Sequence, residues 1–164
     1  MKEILESSIR RQLVEIAKGL NGTGLLGFIK ADVRNYAASF LLVSDKNDAE
    51  QSDVQCINQM LGPAAEIRRV EMSSMSEMLT VVREHIGWQG DGGAHPNRTY
   101  QMSKDFDSDA ENLFRDLKEL FVDHSKVVSF LLDSGHPFYP VFWDFAFLIR
   151  KSESSYVFIG SSSD

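Results

Sequence analysis

Three groups of residues could carry chemistry. Asp105, Asp107 and Asp109 stand at alternate positions, the spacing with which a calcium-binding EF-hand loop begins. Such a loop then needs glycine at its sixth position and a bidentate Glu at its twelfth. Those positions hold Ala110 and Asp116. The ladder therefore reads as acid in a first helical turn, ahead of a capping pair at Ser108 and Glu111. Gly90-Asp91-Gly92-Gly93 has the glycine content of a phosphate loop but lacks the Lys and Ser/Thr that must follow it. It reads as a flexible loop. His85, His95, His124 and His136 are scattered, with no pair four residues apart, and Cys56 is the single cysteine. They offer no metal-ligand pattern. No GxSxG nucleophile elbow is present. No catalytic set, metal or cofactor is expected.

Asp144 is the most unusual single residue, an acid inside an aromatic strand. A buried carboxyl needs a partner or shifts its pKa. The expected partner is Arg150 or an N-terminal arginine. The alternative is a small enzyme with a pocket beneath residues 87–104, in which Asp144 and either His95 or His136 serve as acid and base. A ligand-binding regulatory domain is a third possibility.

The elements that position these residues follow from apolar periodicity. Leu5, Ile9, Leu13 and Ile16 recur at helical spacing, so residues 3–18 are expected to be a helix, ended by glycines. Leu25–Ala31 and Tyr36–Val43 are short apolar runs, expected to form a hairpin through Asp32–Asn35. Asp48 can cap a helix over 49–61, which Gly62-Pro63 stops. Residues 66–71 alternate as a strand. Ser74 and Glu77 form a capping box for a helix with a Met75, Met78, Leu79, Val82, Ile86 stripe. Residues 87–104 form a long loop carrying Trp88, His95 and Tyr100. Leu113, Leu117, Leu120, Phe121, Val128 and Leu131 keep helical spacing. One helix to about Asp133 is favoured over a break near His124 and a strand at Val127–Leu132. The C-terminus is expected to be a β-hairpin of Val141–Ile149 and Tyr156–Ile159. Its first strand is apolar on both faces and hence central. The fold class is α+β, or mixed α/β, with helices on a largely antiparallel sheet in a single domain spanning 1–164.

The net charge of −7 and pI of about 5.1 argue against nucleic acid as partner, since phosphate contacts need Lys and Arg. The acid is concentrated. Residues 105–123 hold seven acids against two cations, and residues 45–53 hold four against one. Each window is either a solvated face or a surface for a basic protein partner. The residues taken for that contact are Asp45, Asp48, Glu50, Asp53, Asp105, Asp107, Asp109, Asp116 and Glu119, with Trp88 from the long loop. No stretch approaches the roughly 18 apolar residues of a membrane span. The acids in the first twenty residues are unlike a signal peptide. A cytoplasmic protein with no membrane contact is expected.

The ending SYVFIGSSSD, after the aromatic strand PVFWDFAFLI, resembles the C-termini of small bacterial immunity proteins of polymorphic-toxin systems. The resemblance covers about the last 27 residues. It implies a cytoplasmic acidic protein that binds a cognate toxin and blocks its active site. A toxin with a basic substrate site would complement an acidic face.

Overall fold

A computed structural model describes residues 1–22, 33 and 35–164. The strand expected at Leu25–Ala31, with half of its turn, lies outside the described residues. The elements run α1 (Lys2–Leu20), β1 (Ala37–Lys46), α2 (Asp53–Leu61), β2 (Glu66–Met72), α3 (Met75–Ile86), α4 (Arg98–Gln101), α5 (Lys104–Leu120), β3 (Lys126–Ser134), β4 (Trp143–Arg150) and β5 (Ser154–Ser163). The strands form one antiparallel sheet in the order β1-β5-β4-β3-β2. The fold is α+β.

β3, β4 and β5 follow one another as a meander, which short connections favour. β1 and β2 are consecutive in the chain yet occupy opposite edges. The segment between them must therefore cross the sheet, and α2 makes that crossing, touching β1, β5 and β2. Cys56 and Ile57 of α2 pack with Val128, Phe130, Ala146, Leu148, Val157 and Ile159 on that face. The opposite face carries α1, α3 and α5. There Ile9, Ile16, Val82, Leu113 and Leu117 meet Trp143, Phe145, Phe147, Tyr156 and Phe158. Alternate residues of β4 and β5 thus feed different cores, as the two-residue strand period requires. Each fully buried Phe or Ile contributes roughly 1.5–3 kcal/mol. β4 is the central strand, as its two apolar faces imply, and β5 beside it is also covered on both sides.

Gly160 lies opposite Phe145 in the β4–β5 register. A β-carbon at Gly160 would collide with the Phe145 ring. Only glycine lets that ring lie flat across β5. The Ser-rich end is strand, not tail: Ser161 and Ser162 are buried between Asp144 and Trp143 of β4 and Ser39 and Ala38 of β1.

Three expectations need correction. Residues 124–133 do not continue the helix. α5 stops at Leu120, a turn follows in which the His124 N–H donates to the Phe121 carbonyl at 3.1 Å, and β3 begins at Lys126. Val127 and Val128 are β-branched and lose rotamer freedom in a helix. As strand, β3 satisfies the backbone of β4, which a helix there would leave unpaired. The cap of α2 is Ser52, not Asp48. Ser52 Oγ accepts the Gln55 N–H at 3.2 Å, and Gln55 Oε1 accepts the Ser52 N–H at 2.9 Å. The cap of α5 is Ser103, whose Oγ accepts the Phe106 N–H at 3.2 Å, so Ser108 and Glu111 lie inside the helix.

Candidate functional site

With Ser103 as its cap, α5 begins five residues earlier than the Ser108 pairing implies. Asp105 and Asp107 then fall in its first turn, where carboxylates complement the positive end of the helix dipole. Asp109 turns inward and accepts the Tyr100 hydroxyl at 2.7 Å. Tyr100 itself presses against α1 at Gly19, where a β-carbon would strike its ring. Burial first, then the Asp109 hydrogen bond, then the charges of Asp109, Asp105 and Glu15 push the Tyr100 phenol far above its ordinary range. Three carboxylates from two helices thus share one neighbourhood. Asp105, Asp107 and Glu111 are exposed. Among the described residues none of them lies within ion-pair distance of a cation. Alternate residues of a helix lie about 200° apart, so the ladder cannot converge on one ion. Among the described residues no group of three His, Cys, Asp or Glu is placed to hold a metal.

Further along α5 the acids diverge. Asp116 is buried between α5 and α1. It accepts Ser8 Oγ at 2.8 Å, Gln12 Nε2 at 2.8 Å and Arg115 Nε at 3.1 Å. Burial opposes its charge, but these hydrogen bonds outweigh burial and hold the carboxyl below its usual value. Glu119, in the last turn, is exposed.

The other acidic window is organised around Arg150, the last residue of β4. Arg150 is 9% exposed, and its guanidinium donates to Asn47 Oδ1 at 3.0 Å, the Gln51 carbonyl at 2.9 Å, Asp53 Oδ1 at 3.1 Å and the Asp48 carbonyl at 2.8 Å. Asp53 also pairs with Lys126 of β3 at 2.5 Å. Asn47 Oδ1 takes a further bond from Ser155 Oγ at 2.8 Å. The Asp48 side chain accepts the Glu50 N–H at 2.9 Å, closing a turn. Asp45 accepts Gln59 Nε2 at 2.8 Å. Glu50 projects into solvent. Arg150, one of the two kinds of partner expected for Asp144, serves Asp53 and the 47–51 backbone instead.

Trp88 folds back over the core. Its ring completes a three-ring cluster with Tyr36 at 5.6 Å and Phe142 at 5.2 Å, which are themselves 6.3 Å apart. The 87–104 segment is tied down further by Gln101, whose amide donates to the Ile86 and Trp88 carbonyls at 3.0 and 2.9 Å. Burial pushes the nearby Tyr36 phenol up to about 12, against the opposing contacts with Trp143 and Ser162.

Asp144 is exposed and shares the α2 face of β4 with Ala146 and Leu148, whereas Trp88 and Tyr100 pack on the other face. The pocket imagined beneath 87–104 is thus filled by rings and separated from Asp144 by the sheet. Asp144 does meet His136. The Phe138 N–H donates to His136 Nδ1 at 2.9 Å, leaving the proton of the neutral ring on Nε2, which sits 3.7 Å from Asp144 Oδ2. His85 packs edge-on against Trp143 and Phe145. His95 stays in its loop, Nδ1 3.0 Å from the Pro96 carbonyl.

Two side chains that organise the molecule, Arg150 and Tyr100, carry no local motif. A single arginine closing a strand whose last five residues before it are all apolar was the one available signal for the first. Compared with known proteins, the chain matches no family model, no curated protein and no solved structure.

Proposed function

We propose that the chain is a protein-binding module that presents the N-terminal half of α5 to a basic partner, most specifically a toxin domain that it neutralises as an immunity protein. The observation that supports this placement is the outward set Asp105, Asp107 and Glu111, unpaired among the described residues, with Asp109 and Glu15 adding to the same field through Tyr100. Carboxylates already spent on internal partners, such as Asp53 and Asp116, have little left for a second molecule. Exposed, uncompensated ones steer an oppositely charged surface and raise its association rate. The resemblance of the C-terminal strands to immunity proteins supplies the kind of partner; the acidic face supplies a place for it.

The test is growth rescue. The C-terminal domain encoded by the reading frame immediately upstream is expressed as the candidate toxin, with this chain supplied in trans. The native chain should protect and bind, with an association rate that falls as salt rises. The triple variant Asp105→Lys, Asp107→Lys, Glu111→Lys, shown folded by circular dichroism, should lose protection. Full protection by that variant would sink the placement on α5. An upstream product that is neither toxic nor bound would sink the immunity reading.

A further inference from the structure

One of the four histidines differs from the others in what its ring faces. Nδ1 of His85, His95 and His124 lies 2.5, 3.0 and 2.8 Å from the carbonyls of Val81, Pro96 and Phe121. A carbonyl accepts from Nδ1–H, so these rings keep their bonds when charged. Nδ1 of His136 faces a donor instead, the Phe138 N–H at 2.9 Å. It can accept only while it carries no proton. The other nitrogen, Nε2, is buried and has no hydrogen-bond partner among the described residues, with Asp144 Oδ2 at 3.7 Å. The neutral ring thus satisfies one nitrogen and strands the other. Phe138 shares a core with Ile57, Leu148 and Ile159, so its bond to His136 ties the loop to the α2 face of the sheet. Tyr139, 78% exposed, is the next residue. Pro137 and Pro140 have φ fixed near about −65°, which leaves the segment between them few soft torsions.

We propose that His136 and Asp144 form a proton-operated latch for residues 136–141. With the ring neutral, Nδ1 accepts the Phe138 N–H and the latch is shut. When the ring takes a proton from solvent, that proton goes to Nδ1, because Nε2 already carries one. Two donors then face each other and the Phe138 bond is lost. The charged Nε2–H closes on Asp144, whose carboxylate accepts it in a charge-assisted bond. One proton therefore exchanges a bond inside the loop for a bond to β4, and Phe138 and Tyr139 move with the ring. The other titratable groups on the surrounding elements are few. β3 carries Asp133, paired with Arg68 of β2 at 3.0 Å. β2 also carries Glu66, opposite Ser134 in register. Residues 57–61 of α2, which share the Phe138 core, hold no charge. β5 sets the uncharged Ser161 opposite Asp144, and Asp164 lies beyond its end. Among the described residues, Asp144 is the one carboxylate within ion-pair distance of His136. The latch is independent of what binds the start of α5.

The experiment follows the isotope-labelled full chain by NMR from about pH 8 to about pH 5, the span in which histidines change charge. Ring nitrogen shifts of His136 should report the Nε2–H tautomer at the alkaline end. As the ring becomes charged, protection of the Phe138 amide from exchange should fall about tenfold, the worth of one hydrogen bond. The amide and the ring should share one midpoint. His136→Asn keeps an acceptor for the N–H two residues on, as Asn does in turns, but cannot titrate. It should hold the Phe138 amide protected at every pH. Asp144→Asn should move the transition to lower pH, because the charged ring loses its carboxylate. Glu66→Gln should leave the transition in place. A Phe138 amide that stays protected while the His136 ring titrates would overturn the proposal. So would a ring that remains neutral down to about pH 5, or the same acid change in His136→Asn. A transition that stays put in Asp144→Asn, or moves in Glu66→Gln, would overturn the pairing with Asp144.

Discussion

The two acidic windows look alike in sequence and differ completely in the fold. Residues 45–53 close around Arg150 and Lys126, and the loop is held through its carbonyls as well as through its carboxylates. Residues 105–111 lie along a helix surface with one carboxylate, Asp109, turned in to a phenol and the others turned out. What separates them is a cation delivered from far along the chain. Arg150 reaches Asp53 across 97 positions. Among the described residues, no comparable cation arrives at the start of α5. Local acid density therefore does not identify a contact surface; it does so only where the fold supplies no counter-charge.

Removing Arg150 should break that contrast most severely. Arg150→Met would leave Asp53 half-buried with Lys126 alone and release the carbonyls of Asp48 and Gln51. A loss of about 3–5 kcal/mol is expected in urea unfolding, the usual cost of removing one side of a buried ion pair. A loss under about 1 kcal/mol would show that the 47–53 loop holds itself. Asp116→Asn should come next, at about 1–3 kcal/mol, because Ser8, Gln12 and Arg115 lose a charged acceptor. Its pH dependence follows from the lowered carboxyl. The stabilisation is complete above the unfolded value of 3.8 and disappears as pH falls through the lower folded value. The variant should therefore show a shallower decline in stability below that pH than the native chain. Tyr100→Phe removes the bond to Asp109 and should cost about 1 kcal/mol by thermal unfolding. Glu111→Gln should change stability by no more than about 0.5 kcal/mol, while still slowing association with a basic partner. A larger stability effect there would move Glu111 into the structural class with Asp116.

Much of the scaffold was readable because its signals are local. The α1 stripe, the Ser74 cap and the C-terminal hairpin each depend on residues within one turn or one strand. Three features were unreadable for a physical reason. Val128 and Leu131 keep helical spacing by coincidence, and only the unpaired edge of β4 makes strand the better solution. Asp48 and Ser52 are both good caps, and the choice falls to Ser52 because Arg150 draws the 47–51 loop inward. Trp88 could be either an exposed anchor or a ring folded onto the core, because the rings of Tyr36 and Phe142 that pack against it are remote in sequence. The acidic start of α5 was legible as charge, but its division into inward Asp109 and outward Asp105, Asp107 and Glu111 required Tyr100 to arrive from α4.

Gly160 carries a consequence for how the sheet assembles. A sheet whose central strands are apolar on both faces has little in its hydrophobic pattern to forbid a two-residue slide, since such a slide keeps every side chain on its own face. Here the slide would set Phe145 against Phe158 or Ser162 in place of Gly160. Neither leaves room for the ring. The glycine is a notch into which one aromatic drops, and it indexes β5 against β4. With that index set, Ser161 and Ser162 are held opposite Asp144 and Trp143.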